Sequence, residues 1–396
     1  MKKSAVTCLT LIFFIYSFSL GQSEEAHQAY IKATTAQSLA QKIQLLKDYL
    51  SKYKGKGTQY ENYANAHLCF YCSQSKSLNE AAEYGETSLA LGGFDDLTKC
   101  QVYLTLSTIY TKQGKNLEKA KNHSKQVVEL AQVNQNKSTS LTTTNQWKKL
   151  TGAGYYTLAQ AQERAKQLKG AVSSYIKSYN ILKNPQIGHD LKKTGKSLYD
   201  FKFYKNAEEA FRAASAILKD YESYSFYAKT LYKNRKKEQA LSYFKKAYAK
   251  KKSGEIAYNI GIILAGKAKK DHSVSEEAIK YLIEASFLSR SNSKKARALA
   301  ESLFFNSKGS SEYNEIIKEI STIHERLEEL IEIYNENIEG KNQEDLTDTQ
   351  KKANKALLVD IEVEKAKLQK LESKQKLIVC KFNELLEDTK KRLGIK

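Results

Sequence analysis

The stretch "GEIAYNIGIILAGKAKKDHSVSEEAIKYLIEAS", Gly254 to Ser286, decides the fold. Its first half places Ala257, Ile260, Gly261 and Leu264 at i, i+3, i+4 and i+7, one face of an α-helix. Gly261 is the small member of that apolar stripe, so a second helix can approach it closely. "SEEAIKYLIEAS" supplies that helix: Ala278 is followed by Leu282 four residues on and Ala285 seven on. Between them "KAKKDHSVS" reads as a surface loop.

The same pair of patterns recurs outward from this stretch. The second-helix pattern returns in "LNEAAEYGETSL", "LEKAKNHSKQVV", "LKGAVSSYIKSY", "YKNAEEAFRAAS" and "KEQALSYFKKAY". Its anchoring alanines are Ala81, Ala120, Ala171, Ala207, Ala240 and Ala278, spaced 39, 51, 36, 33 and 38 residues apart. The first-helix pattern returns in "YSFYAKTLYKN" (Tyr224, Tyr227, Ala228, Leu231) and "QVYLTLSTIY" (Tyr103, Leu106, Ser107, Tyr110). A fixed period of this length marks a repeat architecture. One hairpin cannot bury its apolar stripe alone, so neighbouring hairpins must stack.

These copies resemble the tetratricopeptide repeat family, whose paired antiparallel helices of nominally 34 residues stack into a right-handed superhelix. Six copies carry the resemblance, from about Tyr60 to Leu288, and a degenerate seventh, Tyr30 to Lys54, starts the array with "AQKIQLLKDYLSKY" as its second helix. The departures are the insert "KAKKDHSVS", the Ser/Thr-rich "NQNKSTSLTTTN" before Trp147, and a first interval lengthened in its turn. "KKARALAESLFFNS", Lys294 to Ser307, reads as the amphipathic cap of the array. The expected fold class is thus all-α, an α-solenoid over 22–308.

After Gly309 the period changes. Ile316, Ile320, Ile323, Leu327, Leu330 and Tyr334 alternate four and three apart, a coiled-coil seam. "EGKNQEDLTDT" breaks it, and a second long helix follows with a poorer seam: Ile361, Leu368, Leu371, Ile378, Phe382 and Leu385, interrupted by Glu364 and Gln375. Segment 309–396 is therefore expected to form an antiparallel helical hairpin or, alternatively, a dimerising coiled coil.

The repeat register also settles "HLCFYCSQ", His67 to Gln74, with Cys69 and Cys72 in C-x-x-C spacing. Carried back from Gly254–Leu264, Cys69 takes the small position of Gly261 and Cys72 that of Leu264. Both read as small core hydrophobes. A redox dithiol needs a βαβ context, and a zinc site needs two more ligands. A bridge between Cys72 and Cys100, which opens the next repeat, is left open.

The N-terminus "MKKSAVTCLTLIFFIYSFSLGQSEE" combines Lys2 and Lys3, an apolar run from Ala5 to Leu20, and small residues before Gln22. It reads as a secretory signal peptide, residues 1–21. An uncleaved anchor is the rival, but sixteen apolar residues fall short of the roughly 20 that span a bilayer. The expected localisation is exported: periplasmic, secreted or at the cell envelope. Export argues against nucleic acid as partner, although the chain carries +21. That charge is uneven. From Arg164 to Lys252 there are 22 Lys and Arg against 7 Asp and Glu, whereas from Ser311 onward there are 16 against 19.

No phosphate loop, metalloprotease helix, nucleophile elbow or metal-ligand spacing occurs in the sequence. The reading is non-catalytic, with no metal or other cofactor. Carboxylate pairs such as Glu208–Glu209 and Glu276–Glu277 sit at starts of second helices, where they oppose the macrodipole. The resemblance implies that the first helix of each pair lines a concave surface, which in that family holds extended peptides. Carried over copy by copy, it points to Tyr156, Gln160 and Arg164; Lys192, Lys196 and Tyr199; Lys229, Tyr232 and Lys233; and Tyr258. Lys192, Lys196 and Tyr199 do share a helix face at i, i+4 and i+7. The Asn members of the family's carboxylate clamp are missing, so only a basic, tyrosine-lined groove is implied. Its expected occupant is a protein or peptide, acidic or carboxylate-bearing. The alternative is a structural protein held to an anionic envelope surface by its basic middle. Oligomerisation through the C-terminal helices is a further expectation.

Overall fold

A computed structural model describes residues 24–137, 143–306, 311–340 and 345–395 of the chain. The signal-peptide segment, the centre of the Ser/Thr-rich insert and residues 341–344 of the 339–349 break lie outside the described residues. Those residues form helices and turns, with no strand among them. Two compact units are present, 1–197 and 198–396, divided inside one helix between Ser197 and Leu198.

The first unit holds four helix pairs: α1 (Glu24–Thr35) with α2 (Leu39–Tyr53), α3 (Glu61–Gln74) with α4 (Leu78–Leu91), α5 (Asp96–Gln113) with α6 (Leu117–Asn134), and α7 (Thr144–Arg164) with α8 (Leu168–Leu182). It ends within α9 (Gln186–Asp200). Helix starts are fixed locally. Ser38 and Thr143 each make a capping box with Gln41 and Gln146, and Asp95 accepts from the Thr98 amide. The pairs close on small residues. A Cβ added at Gly85 on α4 would stand 2.8 Å from Cys69 Sγ on α3 and 2.8 Å from Leu106 Cδ2 on α5. Cys69 therefore occupies the small position expected for it. Cys69, Cys72 and Cys100 are all fully buried free thiols, and Cys72 and Cys100 belong to different core clusters. No Cys72–Cys100 bridge forms. The first repeat interval is long chiefly because α5 has 18 residues where a typical first helix, α11 (Tyr221–Lys233), has 13. Extra helical turn, more than the lengthened loop expected from sequence, absorbs those residues.

The second unit continues with α10 (Tyr204–Leu218), α11 and α12 (Lys237–Lys250), α13 (Gly254–Ala268) and α14 (Ser275–Leu288), then α15 (Ser293–Asn306). Gly261 again marks the closest approach: a Cβ there would lie 2.6 Å from Leu282 Cγ on α14. Two long helices follow, α16 (Ser311–Ile338) and α17 (Asp348–Arg392), and they pack on each other as a hairpin through Leu327, Leu330 and Ile361 with Ile323, Tyr334, Leu357 and Leu368. The far end of α17 leaves that seam and docks on the repeats. Phe382 and Leu386 are buried with Ile279, Leu282 and Ile283 of α14 and pack against Phe304 and Phe305 of α15. Leu385, expected in the seam, is exposed instead, and Leu386 takes the inward place. The reason is that this end of α17 faces α14 and α15 rather than α16, which rotates the buried stripe by one residue. Arg392 completes the dock, 2.8 Å from buried Glu284, which also accepts from the Tyr248 hydroxyl at 2.6 Å.

Candidate functional site

The first helices α7, α9, α11 and α13 carry the residues picked out by register. Their phase is set at the turns. Five of the turns between a first and a second helix close with a six-residue hydrogen bond, as in Gln167 N–H to Gln162 O at 2.8 Å and Lys236 N–H to Leu231 O at 2.9 Å. With the turn fixed, alternate faces of each first helix go to the core and outward.

In the first unit, Tyr156 is half-buried and its hydroxyl donates to Asp190 at 2.9 Å. Burial, with Asp190 next, pushes the Tyr156 hydroxyl well above its usual range. Burial likewise raises the Asp190 carboxyl, which the Tyr156 bond partly offsets. Gln160 is half-buried and Arg164 exposed, close to Gly114 at the end of α5. Lys192 and Lys196 are half-buried on α9, next to a Lys193–Glu163 ion pair of 3.0 Å that ties α9 to α7.

In the second unit, Tyr199 stands edge-on to Tyr204 at 5.2 Å and to Phe226 at 6.3 Å, and burial raises its hydroxyl. Lys229 lies over the Phe226 ring and pairs with Glu255 of α13 at 2.8 Å. Tyr232 and Lys233 are exposed beyond it. Tyr258 is half-buried against the cluster of Ala257, Leu282 and Phe382. The structure thus brings Tyr199 and Lys229 to the common neighbour Phe226, and leaves Tyr232 and Lys233 facing solvent.

Sequence reasoning missed the carboxylates. Asp190, Glu163 and Glu255 stand among the chosen cations and tyrosines and neutralise part of the positive surface. A signal was present. The pairs Tyr156–Asp190, Glu163–Lys193 and Lys229–Glu255 are 34, 30 and 26 residues apart, about one repeat. Aligning first helices one repeat apart would have put opposite charges side by side. Among the described residues no group of three or more His, Cys, Asp and Glu side chains is placed to hold a metal ion, and no helix is long and apolar enough to cross a membrane.

No family model matches the chain, and no curated protein does. Solved structures similar to it include a tetratricopeptide repeat protein from Parabacteroides merdae, at 14% identity over 71% of this chain and 98% of that one, TM-score 0.35. They also include the C-terminal part of a TPR repeat-containing protein from Cytophaga hutchinsonii, at 14% identity over 73% and 97%, TM-score 0.37. The apo form of RapI is a third, at 15% identity over 83% and 99%, TM-score 0.34. The paired helices, closed on small residues such as Gly85 and Gly261 and joined in five of the pairs by one repeated turn, make the described array a tetratricopeptide-type α-helical fold.

Proposed function

We propose that the chain is a non-catalytic, exported scaffold that binds a protein through the outward faces of its first helices, and that its partner presents an acidic or carboxylate-bearing segment. The observation carrying this reading is on α11, where Tyr232 and Lys233 stand exposed at the end of a first helix. Tyrosine offers flat apolar area with a polar tip, and an ammonium attracts carboxylate. Lys192 and Lys196 supply the corresponding cations on α9. The intrinsic pairs Lys193–Glu163 and Lys229–Glu255 make the surface selective rather than uniformly basic. A ligand carboxylate reaching those lysines must compete with a bonded protein carboxylate.

The test is capture from a cell-envelope extract by the chain from Gln22 onward, beside a variant with Lys192, Lys196 and Lys233 changed to Glu. A discrete protein held by the first and lost by the second supports the reading. Equal capture by both sinks it.

A further inference from the structure

Five of the turns between paired helices share one geometry and one chemical peculiarity. Ser77, Lys115, Gln167, Phe203 and Lys236 each donate their amide to the carbonyl five residues back, at 2.8 to 3.2 Å. The residue before each is left-handed: Lys76, Gly114, Lys166, Lys202 and Arg235, with φ of 61 to 67°. Glycine is favoured there, because a Cβ makes this conformation strained by about 1 kcal/mol or more. A cation holds four of the five places nonetheless.

In the second unit one of these turns is unlike the rest. Lys202 is bracketed by Phe201 and Phe203, which are 61% and 58% exposed, the most exposed aromatic side chains among the described residues. The turn itself does not ask for them: the equivalent flanks elsewhere are Ser75 and Ser77, Ala165 and Gln167, Asn234 and Lys236. The next turn lies beside this one. Asn234 donates to Tyr204 O at 3.2 Å and to Glu208 at 2.7 Å, and Lys236 pairs with Glu208 at 2.6 Å. The turn after that follows in the same row, through an ion pair of Lys267 with Glu238. Along this edge Lys202, Lys205, Arg235, Lys237, Lys269 and Lys270 are exposed. Of its carboxylates, Glu208 and Glu238 are taken up by Lys236 and Lys267; Asp200, Glu209, Asp271 and Glu276 are exposed and are outnumbered by the six cations.

We propose that this edge of the second unit is a docking surface for an anionic lipid bilayer, with Phe201 and Phe203 inserted at the headgroup boundary and the turn cations among the phosphates. Charge complementarity selects an anionic surface, since each Lys or Arg held near one adds favourable free energy. The shape selects a bilayer. Two phenyl rings on a tight, outward-pointing turn make a convex knob, and a fluid acyl layer receives such a knob without a matching pocket. The surface centres on the turns and adjoins the outward face of α11 only at Tyr232 and Lys233, and it needs no protein partner, so the proposal does not rest on the protein-binding reading above.

The experiment is sedimentation of the chain from Gln22 onward with vesicles of phosphatidylcholine alone or mixed with phosphatidylglycerol. Omitting residues 1–21 removes an apolar run that would bind lipid by itself and leaves every described helix intact. Binding is expected only with the anionic vesicles, falling as salt rises. The double variant Phe201→Ser, Phe203→Ser should lose at least about tenfold in affinity. Lys202→Glu with Arg235→Glu should lose a similar factor. Both variants alter exposed residues, and unchanged circular dichroism confirms that they fold. Phe203→Trp adds a reporter to the single buried Trp147, and its emission should shift to shorter wavelength on anionic vesicles. No binding to anionic vesicles, equal binding to both compositions, or full binding by the phenylalanine variant overturns the proposal.

Discussion

The two units solve one packing problem with different chemistry. The first places titratable and hydroxyl groups in its core. His67 is half-buried, stacked on Tyr71 at 5.7 Å and beside Tyr30 at 6.1 Å. Three thiols are buried with no exposure, and burial pushes the Cys69 and Cys100 thiols up to about 12. Ser107, Ser124 and Thr157 form a buried hydroxyl chain across α5, α6 and α7, at 2.6 and 3.0 Å. The second unit packs the centre of its repeats with Phe211, Phe244, Leu231 and Ile256, Phe211 stacks on Phe226 at 5.3 Å, and its buried carboxylate, Glu284, sits at the dock of α17. The difference teaches that a repeat register fixes side-chain size more tightly than polarity. A small position accepts Gly, Ala, Cys or Ser, provided that any polar atom finds a partner.

The contrast can be broken at three points. The largest effect is expected from Phe211→Ala, which empties the apolar centre of the second unit. It should destabilise by about 4 kcal/mol, read as lost hydrogen-exchange protection in α10, α11 and α12. Protection unchanged there would mean that this ring does not hold the second unit together.

Acid should act on the first unit. Burial, and then Lys42, hold His67 neutral down to about 4, below its free value near 6.5. Between those values the unfolded chain takes up a proton that the folded chain refuses. Stability is therefore complete above about pH 6.5 and falls, by up to about 3 kcal/mol, as the pH drops toward 4. Burial lowers His123 in the same direction. Urea melts from pH 7 to 4.5 should show this slope, and His67→Phe should flatten it. A slope that survives the substitution would assign the acid response elsewhere.

The smallest change is Ser124→Ala, which removes the middle of the hydroxyl chain. Thr157 keeps its bonds to the Ala153 and Gly154 carbonyls, whereas Ser107 loses the partner that the chain gave it. A loss of about 1 kcal/mol is expected. A neutral or stabilising result would show that the hydroxyls serve only as small packing groups, like the alanines of the second unit.

Much of this was legible in the sequence. The stripe of Ala257, Ile260, Gly261 and Leu264 gave the helix face, and the shared register put Cys69 where Gly85 leaves room for it. The rotation of the α17 stripe from Leu385 to Leu386 was not legible, because periodicity reports one face of a helix and not which neighbour changes along its length. The lengthened first interval was ambiguous for a similar reason. Added residues look the same in sequence whether they extend a helix or a turn.

What the sequence determined by itself is local and periodic: where helices run, which face of each is apolar, and where two of them must come close. These follow from 3.6 residues per turn and from side-chain volume, both written in neighbouring positions. What only the tertiary structure decided is which neighbour each face meets, and above all its electrostatics. Lys229 looks like a free groove cation until Glu255 is set 2.8 Å away, and Tyr156 like a bare phenol until it meets Asp190. Those partners lie about a repeat away in the chain. Stacking alone brings them within hydrogen-bond reach, and charge interactions depend on distance in space, not on distance along the sequence.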